Sequence, residues 1–209
     1  MIDKLCDYIV EKMKKKMPEI DEEKEQIIKF GLQMIIGEVP KMFILIGAGF
    51  LFGVGWYMIL AFFALLPYRA MSGGFHLKTH IGCIIGTVLF YYGNIIISKL
   101  LYLTDFQKII LIILAYIFGI LMVSLYAPAD TENVPIISKK ERRKKKILSF
   151  FALSLTLIVA VFVPDRMISN ILIIGTILQS LSITRLAYII TKNKYGYEIY
   201  AQEMENSNI

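Results

Sequence analysis

A histidine and a cysteine, His76 and Cys83, stand seven residues apart between strongly apolar segments of this chain. An imidazole and a thiol are the base and the nucleophile of cysteine-dependent acyl transfer. Seven residues of regular helix turn by about 700° and rise by about 10 Å, so the two side chains share a face without touching. The pair Gly73-Gly74 permits a bend that swings His76 back over the helix start. His80 is the competing base, because three residues of helix bring it close to Cys83.

The composition is that of a membrane protein. Of 209 residues, 56% are hydrophobic and 19% are charged, with a mean hydropathy of +0.62, whereas soluble domains average about 25% charged residues. Two cysteines are too few for a disulfide framework, so both are predicted to be thiols. The motifs of metal and cofactor sites are not recognisable, and we expect neither group. Apolar stretches near or above the roughly 18 residues of a spanning helix cover residues 42–66, 81–98, 109–129, 147–163 and 167–184.

The chain divides into three expected parts. Residues 1–20 carry apolar side chains at steps of three and four, which predicts an amphipathic helix lying in the membrane interface. Packing of this helix on a soluble partner or on the bundle is the alternative. Residues 21–191 form a membrane helical domain with a cytoplasmic His/Cys site, and residues 192–209 form a polar cytoplasmic tail that we expect to be partly disordered.

Charge predicts the topology. Residues 139–146 carry seven positive charges and one negative charge, and the positive-inside rule places this short loop in the cytoplasm. Counting spans backwards then makes segment 67–80 cytoplasmic, and counting forwards returns the C-terminus there. A Lys-rich cytoplasmic N-terminus requires an even number of earlier crossings, which segments 27–52 and 54–66 provide with a turn near residue 53. The predicted fold class is therefore all-α, a polytopic integral membrane helical bundle of about six membrane segments plus the N-terminal amphipathic interfacial helix.

The residues around the His/Cys pair resemble the signature of a known family. It is the accessory gene regulator B family (AgrB), the membrane endopeptidases that process the quorum-sensing pro-peptide AgrD. The resemblance covers about residues 20 to 190. The string that carries it, with apolar spans on both sides, is Arg69-x-x-x-Gly73-Gly74-x-His76-x6-Cys83.

A second string agrees with the first. The segment from Tyr126 to Pro135 contains Ala-Pro-Ala-Asp, ending at Asp130, and precedes the basic run. It is similar to the Ala-Pro-x-Asp loop that the family carries between its later membrane segments. Asp130 is a candidate third member of the site, because its loop lies on the same predicted side of the membrane as His76.

The resemblance implies a multi-pass protein of the bacterial cell membrane with Cys83 as the nucleophile and His76, rather than His80, as the general base. Cys83 attacks a peptide carbonyl, and the acyl-thioester is then displaced by a Cys or Ser side chain of the substrate to close a thiolactone or lactone ring. The expected partners are an AgrD-like pro-peptide and membrane lipids, with a homodimer as one assembly to consider and nucleic acid not expected.

The supporting residues have two interpretations each. Gly73 and Gly74 permit a turn, or they let backbone amides approach an oxyanion. Arg69 orients the site or pairs with the substrate, or it extends towards the headgroups from a helix end. The basic residues mark topology and contact anionic lipid, or they bind an acidic part of the substrate; these residues are Arg142, Arg143, Lys144, Lys145 and Lys146.

The rival function class is a membrane protein without enzymatic activity, such as a small exporter or a scaffold. A single Cys at a helix end is ordinarily a small packing residue. In that interpretation, Cys83 is a packing residue and not a nucleophile.

Overall fold

The computed structural model describes residues 2–16, 22–75, 77, 80–132 and 135–207, which are helical apart from their connections. The all-α prediction is confirmed. The chain splits into two compact units, Met1–Gly55 and Trp56–Ile209. The boundaries predicted at residues 20 and 191 stay predictions.

The first unit consists of two helices that pack on each other, α1 (Ile2–Lys16) and α2 (Glu22–Leu51). Cys6 and Val10, one turn apart on α1, are buried. The predicted N-terminal helix is thus present, and its place in the membrane interface stays a prediction. α2 runs through Pro40 without ending. A proline removes one helix hydrogen bond, and apolar helices tolerate that loss.

The predicted turn near residue 53 is confirmed. α2 ends at Leu51, Gly53 takes a φ of +70°, and α3 (Gly55–Ser72) follows. With 18 residues, α3 is about 27 Å long, close to the roughly 30 Å of a bilayer core. This segment thus extends six residues beyond its predicted end at residue 66.

The second unit is organised around α7. This helix packs against α4, α5 and α6, so it occupies the centre of the bundle. Three helical segments among the described residues are long and apolar enough to cross a membrane, namely Ile81–Leu100, Asp105–Tyr126 and Lys139–Phe162; shorter apolar helices are Val39–Leu51 and Arg166–Ser182. The protein is thus a helical membrane protein, and the count of six segments stays a prediction. The bounds are α4 (His80–Leu100), α5 (Asp105–Tyr126), α6 (Lys139–Phe162) and α7 (Arg166–Ser182).

Buried amides join α4 to α7. The Asn94 Nδ2 atom donates to the carbonyl of Ile171 at 3.1 Å. In return, the Asn170 Nδ2 atom donates to the carbonyls of Ser98 at 3.0 Å and Leu101 at 2.9 Å. An unpaired polar group costs several kcal/mol in a membrane interior, so these reciprocal bonds fix the register of the two helices.

One expectation about the second half of the chain is wrong. The basic run is not a loop, because α6 begins at Lys139 and the Ser138 hydroxyl accepts from the Glu141 amide at 3.4 Å as its N-cap. Two further helices follow α7, namely α8 (Arg185–Ile190) and α9 (Gly196–Ser207), and α9 lies within the predicted tail. The partial disorder expected of that tail stays a prediction. Stacking of Tyr195 on Tyr188, with ring centroids 4.2 Å apart, holds the junction between α8 and α9.

The packing of α7 makes a testable distinction between two helical glycines. A methyl group on Gly175 would overlap Leu65 and lie 2.8 Å from Asn94 Nδ2, whereas nothing lies within 4 Å of one on Gly93. Overpacking costs about 1–3 kcal/mol, or roughly 2–4 °C per kcal/mol in a chain of this size. Gly175→Ala should therefore lower the thermal midpoint in detergent by several degrees, and Gly93→Ala should leave it unchanged or slightly raised. Equal midpoints for the two variants would contradict this packing.

Candidate active site

The Gly73-Gly74 pair forms a docked turn at the end of α3. Gly73 has a φ of +76° and Gly74 a φ of +145°, conformations that favour glycine. The Ala129 amide donates to the Ser72 carbonyl at 2.8 Å, and the Gly74 amide donates to the Ala129 carbonyl at 3.0 Å. A Cβ atom on Gly73 would overlap that same carbonyl oxygen.

This pairing distinguishes the two interpretations of Gly73 and Gly74, as a turn or as amide donors to an oxyanion. The Gly73 amide donates to the Arg69 carbonyl at 3.0 Å, and the Gly74 amide donates to the Ala129 carbonyl. Both amides therefore already have acceptors in this conformation. The geometry therefore favours the first interpretation, in which the glycines form a turn that fixes the chain. It does not favour the second, in which their amides are donors for an oxyanion.

The Ala-Pro-Ala-Asp loop is held from its other side by Tyr188. The Tyr188 hydroxyl lies 3.0 Å from the carbonyl oxygens of both Ala129 and Asp130 and donates to them. Burial raises the pKa of Tyr188 above its ordinary value, and the negative charges that Tyr195 and Asp130 can carry raise it further. The phenol thus remains a protonated donor to the loop at physiological pH.

Asp130 and Arg142 form an ion pair beneath this loop. The Asp130 carboxylate is fully buried, and its Oδ2 atom accepts from Arg142 Nη1 at 2.9 Å and from the Ile136 amide at 2.8 Å. Its Oδ1 atom has no hydrogen-bond partner within the described part of the chain. Arg142 also donates to the Pro128 carbonyl at 3.3 Å and lies 4.3 Å from the Tyr197 ring. The role of Asp130 as a third member of the site stays a prediction.

The other basic residues of α6 lie in different surroundings. Lys146 Nζ donates to the Ser124 carbonyl at 2.5 Å, and Lys145 is half-buried. Arg143 and Lys144 are exposed. They contribute to an open groove of about 560 Å³ that has an apolar end, lined by Lys139, Lys140, Arg143, Lys144, Ile147 and Leu148.

Arg69 is bound within the protein. Its Nη1 atom donates to Gln179 Oε1 at 3.1 Å, and its guanidinium carbon lies 5.6 Å from the centre of the Phe90 ring. These contacts link α3 to α7 and α4. In the sequence, Gln179 is only a polar residue inside the apolar stretch 167–184, and no local pattern indicates its link to the candidate site.

Cys83 lies in the first turn of α4, which begins at His80. Its thiol is half-buried, and its carbonyl accepts from the Thr87 hydroxyl at 2.9 Å. Leu77, just before α4, packs beside the second turn of that helix, since a Cβ on Gly86 would lie 3.0 Å from Leu77 Cδ1. His76 lies outside the described residues, so the contact predicted between it and Cys83 stays a prediction.

The Gly-Gly turn, the Cys83 turn and the Ala-Pro-Ala-Asp loop all lie within the part of the chain that matches one known protein family. The family described as Accessory gene regulator B matches residues 6–183. The chain belongs to the accessory gene regulator B family. Membership implies a role in processing the AgrD peptide of this quorum-sensing system.

Curated relatives are similar over most of their length. A putative AgrB-like protein of Listeria innocua is 28% identical over 86% of this chain and 87% of its own. Accessory gene regulator protein B of Staphylococcus epidermidis is 29% identical over 75% of this chain and 77% of its own. No solved structure matches the chain significantly.

The docked turn predicts unequal effects at two glycines with positive φ. Gly53 has a φ of +70° but open space around it, so Gly53→Ala carries only the backbone cost, about 1–2 kcal/mol. Gly73→Ala adds the overlap with the Ala129 carbonyl. We expect a clearly lower yield of folded protein from solubilised membranes for Gly73→Ala, measured by size-exclusion chromatography. A similar yield for both variants would show that the turn does not rest on the loop.

Proposed function

We propose that the protein is a membrane-embedded cysteine endopeptidase in which Cys83 attacks an AgrD-like pro-peptide and His76 is the general base. The site faces the cytoplasm, as do both termini, and the protein resides in the bacterial cell membrane. The basic first turns of α6 support this orientation through the positive-inside rule.

The observation that carries the proposal is the position of Leu77. A straight helix would hold residues 76 and 83 about 10 Å apart along its axis. The chain instead turns at Gly73-Gly74, and Leu77 lies against Gly86, three residues beyond Cys83. A base that precedes Leu77 in sequence needs a reversal of this kind to reach the thiol.

The location of Cys83 also suits a nucleophile. It is the fourth residue of α4, and the exposed amides and dipole of a helix N-terminus stabilise negative charge. The thiolate is the attacking form of cysteine. His80 begins the same helix, and it remains the alternative base.

The reaction proceeds in two acyl transfers. Cys83 Sγ forms a bond to the scissile carbonyl carbon while its proton passes to His76, and the peptide C–N bond breaks as the imidazolium protonates the leaving amine. A thiol or hydroxyl of the substrate then attacks the acyl-thioester. Its proton returns through His76, the Cys83 thiolate leaves, and the thiolactone or lactone ring closes. Water does not take part, as a site at the membrane edge favours.

The rival is an exporter or scaffold in which Cys83 packs. Substitution distinguishes the two, because a packing cysteine tolerates Ala and a nucleophile does not. We expect Cys83→Ala and Cys83→Ser to abolish cleavage of a co-expressed pro-peptide, followed by mass spectrometry, with protein still in the membrane. Cys6→Ala is the matched control, since Cys6 is buried in α1, and it should cleave normally. Undiminished cleavage with the Cys83→Ala variant would rule out Cys83 as the nucleophile and leave the exporter or scaffold hypothesis.

The choice of base is tested by two parallel variants. His76→Ala should reduce cleavage by about 10²–10⁴-fold, the usual contribution of a general base. His80→Ala should reduce it far less. A larger loss in His80→Ala than in His76→Ala would transfer the role to His80.

Salt dependence separates two roles among the basic residues. Arg142 binds buried Asp130, whereas Arg143 and Lys144 line the open groove and are proposed to attract an acidic part of the substrate with Lys145 and Lys146. Screening weakens exposed charge pairs far more than buried ones. The double variant Arg143→Gln/Lys144→Gln should lose cleavage mainly at low ionic strength, and Arg142→Gln should lose it at every ionic strength. A uniform loss in the double variant would count against the substrate contact.

A further inference from the structure

The buried amide of Gln179 is a point where α7 touches the docked turn. Gln179 is fully buried in α7. Its Nε2 atom donates to the Gly73 carbonyl at 2.8 Å and to Ser72 Oγ at 2.9 Å. Its Oε1 atom accepts from Arg69 Nη1 at 3.1 Å. A polar group this deep in an apolar helix is costly unless it is bonded, and the bonds of Gln179 converge on the end of α3.

The directions of these bonds fix the orientation of the amide. The Gly73 carbonyl can only accept, so it faces the Nε2 atom. The Arg69 guanidinium can only donate, so it faces the Oε1 atom. The Ser72 hydroxyl donates to the Tyr68 carbonyl at 2.7 Å, which leaves its oxygen to accept from Gln179. A glutamate in this place would keep the bond to Arg69 and lose both donors.

The neighbours of Gln179 on α7 complete a surface under the turn. Ser180 Oγ and Tyr68 Oη lie 2.9 Å apart and share a hydrogen bond. A Cβ on Gly74 would lie 3.0 Å from Ser182 Oγ and 3.8 Å from Gln179 Nε2. The turn is thus held between the 127–130 loop on one side and α7 on the other.

Arg69 extends this contact to α4. Its guanidinium carbon lies 5.6 Å from the Phe90 ring, and Phe90 stands seven residues after Cys83, two turns along the same face. One amide side chain therefore fixes both the carbonyl of the turn and a cation that lies over the helix of the nucleophile.

We propose that Gln179 is a positioning residue for the Cys83 site, an inference that rests on the proposed function. Gln179 fixes the position of the turn by its bond to Gly73 and the position of the Arg69 guanidinium by its second bond. Through the turn, it orients the chain that leads to His76. Its described hydrogen bonds go to these groups, and it takes no part in bond making.

The reactivity of the Cys83 thiol tests this role without any peptide substrate. The probe is iodoacetamide, applied to the full chain in lipid vesicles, with alkylation of Cys83 followed by mass spectrometry at about pH 7 and about pH 10. A base in contact makes a thiol reactive at neutral pH, whereas an ordinary thiol ionises by itself above about pH 8.5. The rate at high pH therefore reports whether the thiol is accessible in folded protein.

Gln179→Leu and Gln179→Glu should slow alkylation at pH 7 by about tenfold or more, in line with the large effect of a 1 Å misplacement, and should match the parent at pH 10. Thr176→Val is the matched control. Thr176 is buried one turn away on α7, and its hydroxyl donates to the Leu172 carbonyl of the same helix. It should alkylate as the parent does at both values.

Three outcomes are distinguishable. Parent-like rates for both Gln179 variants at pH 7, with His76→Ala slow, overturn the role of Gln179 alone. An equal loss at pH 7 and pH 10 overturns it too, since the residue would then support only folding. If His76→Ala and the parent react at the same rate at pH 7, the proposed His76–Cys83 pair is overturned, and the role of Gln179 is overturned with it.

Discussion

The pairing of the Gly73-Gly74 turn with Ala129 is the contact on which the rest of the site depends. Two backbone hydrogen bonds, at 2.8 Å and 3.0 Å, join segments more than fifty residues apart in the chain. The contact has no room for a side chain at Gly73. Because α3 ends in this turn, the 127–130 loop fixes the direction in which the chain leaves α3.

The membrane interior imposes the second constraint. A buried polar atom without a hydrogen-bond partner is costly in the bilayer core, where no water can replace the partner. The polar side chains of α7 that face the bundle therefore need hydrogen-bond partners within the protein. Asn170 uses this requirement to lock α4, and Gln179 uses it to hold the turn. Polar side chains inside α7 thus specify both the helix register and the position of the Gly73-Gly74 turn. At the loop, the Tyr188 hydroxyl and the Asp130 Oδ2 atom are likewise bonded, whereas Asp130 Oδ1 has no partner among the described residues.

The sequence predicts the helices well and their contacts poorly. Hydropathy places α4 to α7 within a few residues at most ends, because a long apolar run has one stable form in lipid. The turn near Gly53 follows from charge parity. Helix α9 cannot be predicted from hydropathy, because its polar sequence has no periodic apolar pattern; stacking of Tyr195 on Tyr188 anchors its start. The link from Gln179 to Arg69 spans 110 residues, and no local pattern encodes such a contact.

The proposed acyl-thioester on Cys83 can be tested directly by trapping it. A pro-peptide whose internal Cys or Ser nucleophile is replaced by Ala cannot close the ring, so the N-terminal product should remain on the enzyme. We predict an adduct on the tryptic peptide containing Cys83 that hydroxylamine releases and that Cys83→Ala lacks. Cleavage of the pro-peptide without such an adduct, or with the adduct on Cys6, would show that Cys83 is not the nucleophile.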